Sequence, residues 1–199
     1  MNLHKIGVKF FAQEKEPIDL VELIPIFHRW IQTKALDDLL IDVADYSHVH
    51  AGPGTLLVAH EGNYGFDETN ERRGISYYSK RQLKGDLPER LGTVCRKALK
   101  ACQLLEQSEE TKGRVKFRGN ELQVFSNDRL IAPNTDETFT ALEPALGNFL
   151  VRLYPETAYD IEREMDPKER FSVTVKTSEA LSIDTVLTRL AVQGHVPVA

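Results

Sequence analysis

Apolar and polar residues alternate in several short segments of the chain, and this period of two predicts β-strands. The predicted strands cover residues 5–11, 39–43, 55–61, 74–80, 115–117, 122–125 and 170–177, and residues 130–132 are a candidate edge strand. Gly119-Asn120 separates two of these segments and predicts a hairpin turn. The run 39–43 is continuously apolar apart from one aspartate, so we expect it to be buried in the sheet.

Helical periodicity appears in four other segments. The clearest is 87–107, where Asp86 and Glu89 form a capping-box pattern and Pro88 fits the first turn. Asp19 is the predicted start of an earlier helix. The third helix is predicted over 139–154, and the fourth begins after Ser182 and ends at Gly194.

The predicted order of elements is β-α-β-β-β-α-β-β-α-β-α. Helices alternate with runs of strands rather than with single strands, which favours an α+β fold with a mainly antiparallel sheet and helices packed on it. At 199 residues the chain fits a single domain, 1–199. The polar segment 108–113 is the best candidate for a boundary between two halves.

The net charge of −5 and the pI near 5.7 give the chain no general attraction to nucleic acid or anionic lipid. The basic candidates are Lys80-Arg81 with Lys84, and Arg96-Lys97 with Lys100, and both are short. No apolar run approaches the ~18 residues of a membrane span. We therefore expect no nucleic-acid partner and no membrane association.

The two cysteines, Cys95 and Cys102, lie seven residues apart on the apolar stripe of one predicted helix. Two helical turns separate them by ~10 Å, which is too far for a disulfide. The N-terminal residues lack the unbroken apolar run of a signal peptide. These features indicate buried thiols in a reducing compartment, so we expect a cytoplasmic protein.

One segment concentrates side chains that could carry chemistry: Asp42, Asp45, His48, His50 and His60 lie within twenty residues around a Gly-Pro-Gly turn. In an extended chain His48 and His50, two residues apart, point to the same side. Such a pair can hold one face of a divalent metal ion such as zinc, iron or manganese, with an aspartate or His60 completing the site. Signatures of phosphate-binding loops, zinc proteases and serine hydrolases are missing.

Two interpretations of this segment stay open. Asp45 is also an ordinary turn residue, and the histidines could face water on a loop. His60 and Glu61 point to opposite faces of a regular strand, so only one of them can join a given site. The first functional hypothesis is a small ligand- or metal-binding protein or enzyme that uses residues 42–60. The alternative is a non-catalytic interaction or scaffold domain with a protein partner, such as a second copy of the chain in a homodimer.

Overall fold

The computed structural model describes residues 3–13, 17–50 and 52–192. Its centre is an antiparallel sheet of eight strands in the order β2-β3-β4-β5-β1-β6-β8-β7. The strands are β1 (Ile6–Ala12), β2 (Leu40–Tyr46), β3 (Gly54–Ala59), β4 (Gly62–Asp67), β5 (Gly74–Ser79), β6 (Phe117–Ser126), β7 (Tyr159–Arg163) and β8 (Ser172–Thr177). The α+β class with a mainly antiparallel sheet is confirmed.

Four α-helices pack on one face of this sheet and bury a common apolar core against it. They are α1 (Leu23–Thr33), α2 (Leu87–Gln107), α3 (Asp136–Leu153) and α4 (Ile183–Val192). Asp86 and Glu89 cap the start of α2 reciprocally, as the sequence predicts. In the part of the chain that the structure describes, no helix is both long and apolar enough to cross a membrane.

The alternation in β1 separates the two faces of the sheet. Val8 and Phe10 point into the core beneath the helices, and both are fully buried. Lys9 and Phe11 therefore lie on the opposite face, away from the core that the four α-helices of the described residues bury. We call this second surface the open face of the sheet.

Several elements differ from the sequence predictions because local patterns were interrupted. Gly62 and Gly65 lie just beyond the strand predicted at 55–61, and they belong to the central strand β4, which the strand prediction missed. Gly119-Asn120 lies inside β6 rather than in a hairpin turn. Strand β2 is an edge strand with mostly exposed side chains, not a buried strand.

Further differences lie in the second half of the chain. Residues 130–132 form a turn, and β7, which the strand prediction missed, pairs with β8 at the sheet edge. The candidate boundary 108–113 contains a short 3₁₀ helix, Glu109–Thr111. Strand β6, which follows it, pairs with β1, so both halves contribute strands to one sheet. Gly194, the predicted end of α4, lies outside the described residues.

Candidate functional site

The structure places His48 and His50 in the turn that follows β2, and both side chains are exposed. The backbone N–H of Val49, between them, donates to the carbonyl of Tyr46 at 2.9 Å. The chain is therefore folded back here and not extended, which removes the geometric reason for both imidazoles to share a side. Asp45 accepts a hydrogen bond from the backbone N–H of Ser47 at 2.8 Å, the contact expected of a turn residue.

His60 lies at the other end of the β2–β3 hairpin. Tyr46 pairs with Gly54 beside the histidine turn, whereas Leu40 pairs with Ala59 beside His60. About six strand residues, or ~20 Å, separate the two ends. The ring of His60 contacts Glu61 at 2.8 Å and Arg81 at 3.1 Å.

The five predicted residues are thus divided between the two ends and the edge of one hairpin. Asp42 lies on the exposed edge strand, where it accepts from the backbone N–H of Val43 at 2.8 Å. Over residues 3–13, 17–50 and 52–192, no group of three or more His, Cys, Asp or Glu side chains is placed to hold a metal ion. His50 does border a cavity of about 640 Å³, together with Glu68 and Arg73.

The open face of the sheet carries a more concentrated set of charges. At its centre, Nζ of Lys9 donates to Oδ1 of Asp67 at 2.6 Å and to the carbonyl of Arg72 at 2.7 Å. The two side chains of the ion pair are only 2 % and 9 % exposed. A buried ion pair gives little net stability, because desolvation of both charges offsets their attraction.

Two arginines stack on aromatic rings on either side of this pair. The guanidinium of Arg72 lies 3.5 Å from the ring centre of Phe11 and donates to Glu121 at 2.8 Å. The guanidinium of Arg170 lies 3.7 Å from the ring centre of Phe125. Stacking on a ring face is favourable for a cation and holds each guanidinium flat against the sheet.

Two cavities flank the ion pair, one on each side. The first, the Lys9 cavity, has a volume of about 330 Å³, and its lining includes Lys9, Phe11, Arg72, Gln123, Ser172 and Thr174. The second, the Arg170 cavity, has a volume of about 340 Å³, and its lining includes Asp67, Ser76, Tyr78, Asn127, Arg129 and Arg170. Lys9 lines one cavity and Asp67 the other, while Thr69 lines both, so the ion pair forms part of the partition between them.

We call the Lys9 cavity and the Arg170 cavity together the groove. Burial and like charges shift the pKa values of two of its cations, Lys9 and Arg170. Desolvation lowers the pKa of the Lys9 ammonium, and this effect outweighs the opposing attraction of Asp67. Arg170 and Arg72 lower it further. Burial also lowers the pKa of the Arg170 guanidinium; Asp67, Tyr78 and Glu169 oppose this shift, and nearby Arg129 adds to it.

Arg170 and Arg129 differ from the other cations of the groove in their partners. Arg170 donates to the side-chain oxygen of Asn127 at 2.9 Å, and Arg129 donates to the carbonyl of Lys168 at 2.6 Å. Within the described residues, neither guanidinium forms an ion pair with a carboxylate. Arg72, by contrast, is paired with Glu121.

Sequence reasoning missed this groove, although one signal was present. The alternation of β1 puts Phe11 on the same face as Lys9, and a large aromatic residue on the supposedly polar face indicates that something covers it. The cover comes from residues 68–73 and 164–171, which are distant in sequence.

Comparisons of the chain with protein-family models, with curated proteins and with solved structures found no match. Functional conclusions therefore rest on the site itself.

Proposed function

We propose that this protein binds a small organic anion, one that bears a carboxylate or a phosphate, in the Arg170 cavity. The observation that carries the proposal is the pair of guanidiniums, Arg129 and Arg170, that border one cavity without a carboxylate partner in the described part of the chain. Two like charges at one cavity repel each other, and an anion between them would remove that repulsion. Guanidinium groups also match the geometry of carboxylate and phosphate oxygens.

The rest of the lining suits a small ligand with both polar and apolar parts. Asn127, Ser76 and Tyr78 offer hydrogen-bonding groups, while Leu56 and Phe125 supply apolar surface. Two carboxylates, Asp67 and Glu169, also border the cavity, and Asp67 is paired with Lys9. Sites for small molecules usually combine an apolar lining with a few directed polar groups. The volume of about 340 Å³ lies at the small end of such sites.

This proposal keeps the ligand-binding hypothesis drawn from the sequence but moves the site. The groove lies on the open face of the sheet, whereas the histidines lie along the β2–β3 hairpin. We propose no metal at residues 42–60, since their side chains do not converge.

Thermal unfolding in the presence of inorganic phosphate or succinate tests the proposal. A ligand present at a concentration of a hundred times its Kd for the folded state stabilises that state by about 2.7 kcal/mol, which raises Tm measurably. We expect this rise in the wild type and its loss in Arg170→Met. Arg29→Met is the matched control, because it removes an exposed arginine that lies outside this cavity.

The pattern of shifts decides the outcome. A rise in Tm that survives in Arg170→Met, or no rise with any small carboxylate or phosphate, contradicts binding in the Arg170 cavity. A rise that is lost equally in Arg29→Met points to nonspecific charge effects and also contradicts it.

A second candidate function is docking of an acidic segment of a partner protein, in line with the interaction-domain alternative. It is favoured by a groove of about 690 Å³ on the helical side, bordered by Lys84 and Arg96 and by Arg152 of α3. None of the three forms an ion pair with a described residue. We call this the basic groove, and its apolar lining includes Phe149 and Leu190.

A further inference from the structure

The amine of Lys9 combines three features that rarely coincide in a structural ion pair. The Lys9 side chain is almost fully buried, and the residue lines a cavity. Its Nζ lies 2.6 Å from Oδ1 of Asp67, a carboxylate that can exchange a proton with it. Buried lysines beside other cations are recurrent nucleophiles toward carbonyl groups, because their environment favours the neutral amine.

We propose that Lys9 forms an imine with the carbonyl carbon of a small aldehyde or ketone that enters the Lys9 cavity. The inference goes beyond anion binding and does not depend on it, since it concerns the other cavity of the groove. The volume of about 330 Å³ admits only a small compound.

The step balances with the groups present. The ammonium of Lys9 passes a proton to Oδ1 of Asp67, and the neutral amine attacks the carbonyl carbon, forming the C–N bond. Proton transfer from nitrogen to oxygen then gives the neutral carbinolamine. Asp67 returns its proton to the hydroxyl group, the C–O bond breaks, and water leaves. An ammonium and a carbonyl thus become a protonated imine and one water, with no oxidant or reductant.

The surroundings of Lys9 support each part of this chemistry. Burial lowers the pKa of the ammonium, and the charges of Arg72 and Arg170 act in the same direction, so the proton leaves more readily than from a surface lysine. Gln123, Ser172 and Thr174 line the same cavity and can orient polar groups of the carbonyl compound.

Reductive trapping tests the inference. The native protein is incubated near pH 8 with propionaldehyde, a neutral probe, and with sodium cyanoborohydride, which reduces an imine to a stable amine. Peptide mass spectrometry then measures the rate of modification at each lysine. We expect Lys9 to be modified at least tenfold faster than Lys176, which is exposed on β8.

Two controls separate this reactivity from ion pairing and from unfolding. Lys97 is also paired with a buried aspartate, Asp38 at 2.7 Å, and it should react no faster than Lys176. In urea-unfolded protein, all lysines should react at similar rates, which also shows that the Lys9 peptide is detectable.

Variants complete the design. Lys9→Arg keeps a positive charge opposite Asp67 and should abolish the fast adduct while circular dichroism confirms the fold. Arg129→Met removes one guanidinium of the proposed anion site and leaves Arg72 and Arg170 in place, so fast labelling of Lys9 in that variant leaves the imine inference standing even if anion binding fails. Modification of native Lys9 at or below the rate of Lys176 overturns the inference.

Discussion

At the scale of single residues, the sheet holds two lysine–aspartate pairs on opposite faces. Lys9 and Asp67 lie on the open face, whereas on the helical side Lys97 of α2 pairs with Asp38 of the loop before β2. Asp38 is 2 % exposed and accepts hydrogen bonds from Lys97 and from the hydroxyl of Tyr64. The second pair borders the apolar core and connects the α1–β2 loop to α2, so its role is structural.

Removing the Tyr64 hydroxyl should therefore destabilise the fold. In Tyr64→Phe a buried carboxylate oxygen loses one donor, and such a loss costs about 1–3 kcal/mol. Urea unfolding followed by fluorescence measures the change. Tyr46→Phe is the control, since that side chain is 42 % exposed, and its free energy of unfolding should stay within about 0.5 kcal/mol of the wild type. Equal effects of the two changes would show that the Asp38 contact contributes nothing.

The lowered pKa of Lys9 predicts a specific pH dependence of stability. Below the folded-state pKa both states carry the proton on Lys9, and above 10.5 neither does. Between these values the unfolded chain binds more protons, so the contribution of Lys9 to stability rises with pH in this window. Unfolding free energies measured at several pH values up to ~10, compared with Lys9→Met, should show the rise in the wild type alone. A parallel pH dependence of the two proteins would contradict the lowered pKa.

The residues of the groove mark the limit of sequence reasoning at this scale. Lys9 was correctly placed on a strand, and its alternation with Val8 and Phe10 gives its face. Its burial follows from loops that begin near residues 68 and 164, and nothing in local pattern reports such a tertiary cover. Histidine spacing, in turn, is informative only if the backbone is extended, and Val49 lies in a turn instead.

At the scale of elements, α2 is the helix whose sequence and structure agree most fully. Its predicted range, 87–107, is the observed one, because capping, periodicity and burial all favour the same ends. Cys95 and Cys102 are both fully buried on its inner face, as predicted.

Two neighbouring leucines of α2 provide a matched test of this packing. Leu105 is fully buried, while Leu104 is only partly buried. Leu105→Ala should cost about 2–5 kcal/mol, because it removes core contacts and leaves a cavity. Leu104→Ala makes the same leucine-to-alanine change on the same helix, so the two variants differ only in burial. It should lower the free energy of unfolding clearly less. Denaturant unfolding measures both, and a loss under about 1 kcal/mol for Leu105→Ala would contradict the packing.

Glycines explain why strands near the start of the sheet were harder to predict. Gly62 and Gly65 permit close contacts with Tyr77 and Leu56 across the strands, so they belong inside β4 although glycine usually weakens a strand. Strand β2 has an apolar sequence typical of a buried strand, yet it forms an edge. Position in a sheet is set by the topology of the whole chain, which alternation alone does not encode.

Two other glycines yield opposite predictions. Gly54 begins β3 with φ of +66°, and a Cβ there would collide with the carbonyl oxygen of Phe66. Gly54→Ala should therefore destabilise the protein by more than about 1 kcal/mol. Gly92 lies inside α2 with open space around it, and Gly92→Ala should stabilise by about 0.5–1 kcal/mol. Thermal unfolding of both variants checks the two signs, and a stabilising Gly54→Ala would exclude the left-handed conformation.

At the scale of the whole molecule, positive charge is concentrated locally although the net charge of the chain is −5. The two short basic runs recognised in the sequence contribute Lys84 and Arg96 to one groove, and the fold adds Arg152 from a distant helix. Each run by itself is too short to predict a binding site, because the sequence shows only which residues are neighbours along the chain. The open face and the helical side thus carry separate arginine-containing sites with different surroundings. One is small, partly buried and also bordered by Asp67 and Glu169, and the other is larger, exposed and mainly basic.

The exposed position of the basic groove determines how its binding should depend on salt. Charges in contact with solvent are screened over about 8–10 Å at ordinary ionic strength, so an acidic peptide held by three exposed cations should bind several-fold more weakly when salt is raised from low to moderate concentration. Fluorescence anisotropy with a labelled oligoglutamate measures this.

Arg96→Met with Arg152→Met should abolish binding, whereas Arg170→Met on the opposite face should leave it unchanged. Because the chain carries a net charge of −5, single-stranded DNA, with its longer run of charge, should bind less tightly than the peptide at equal salt. Tighter binding of the DNA would contradict the acidic-segment proposal, and peptide binding that ignores both salt and the double change would place the contact elsewhere on the molecule.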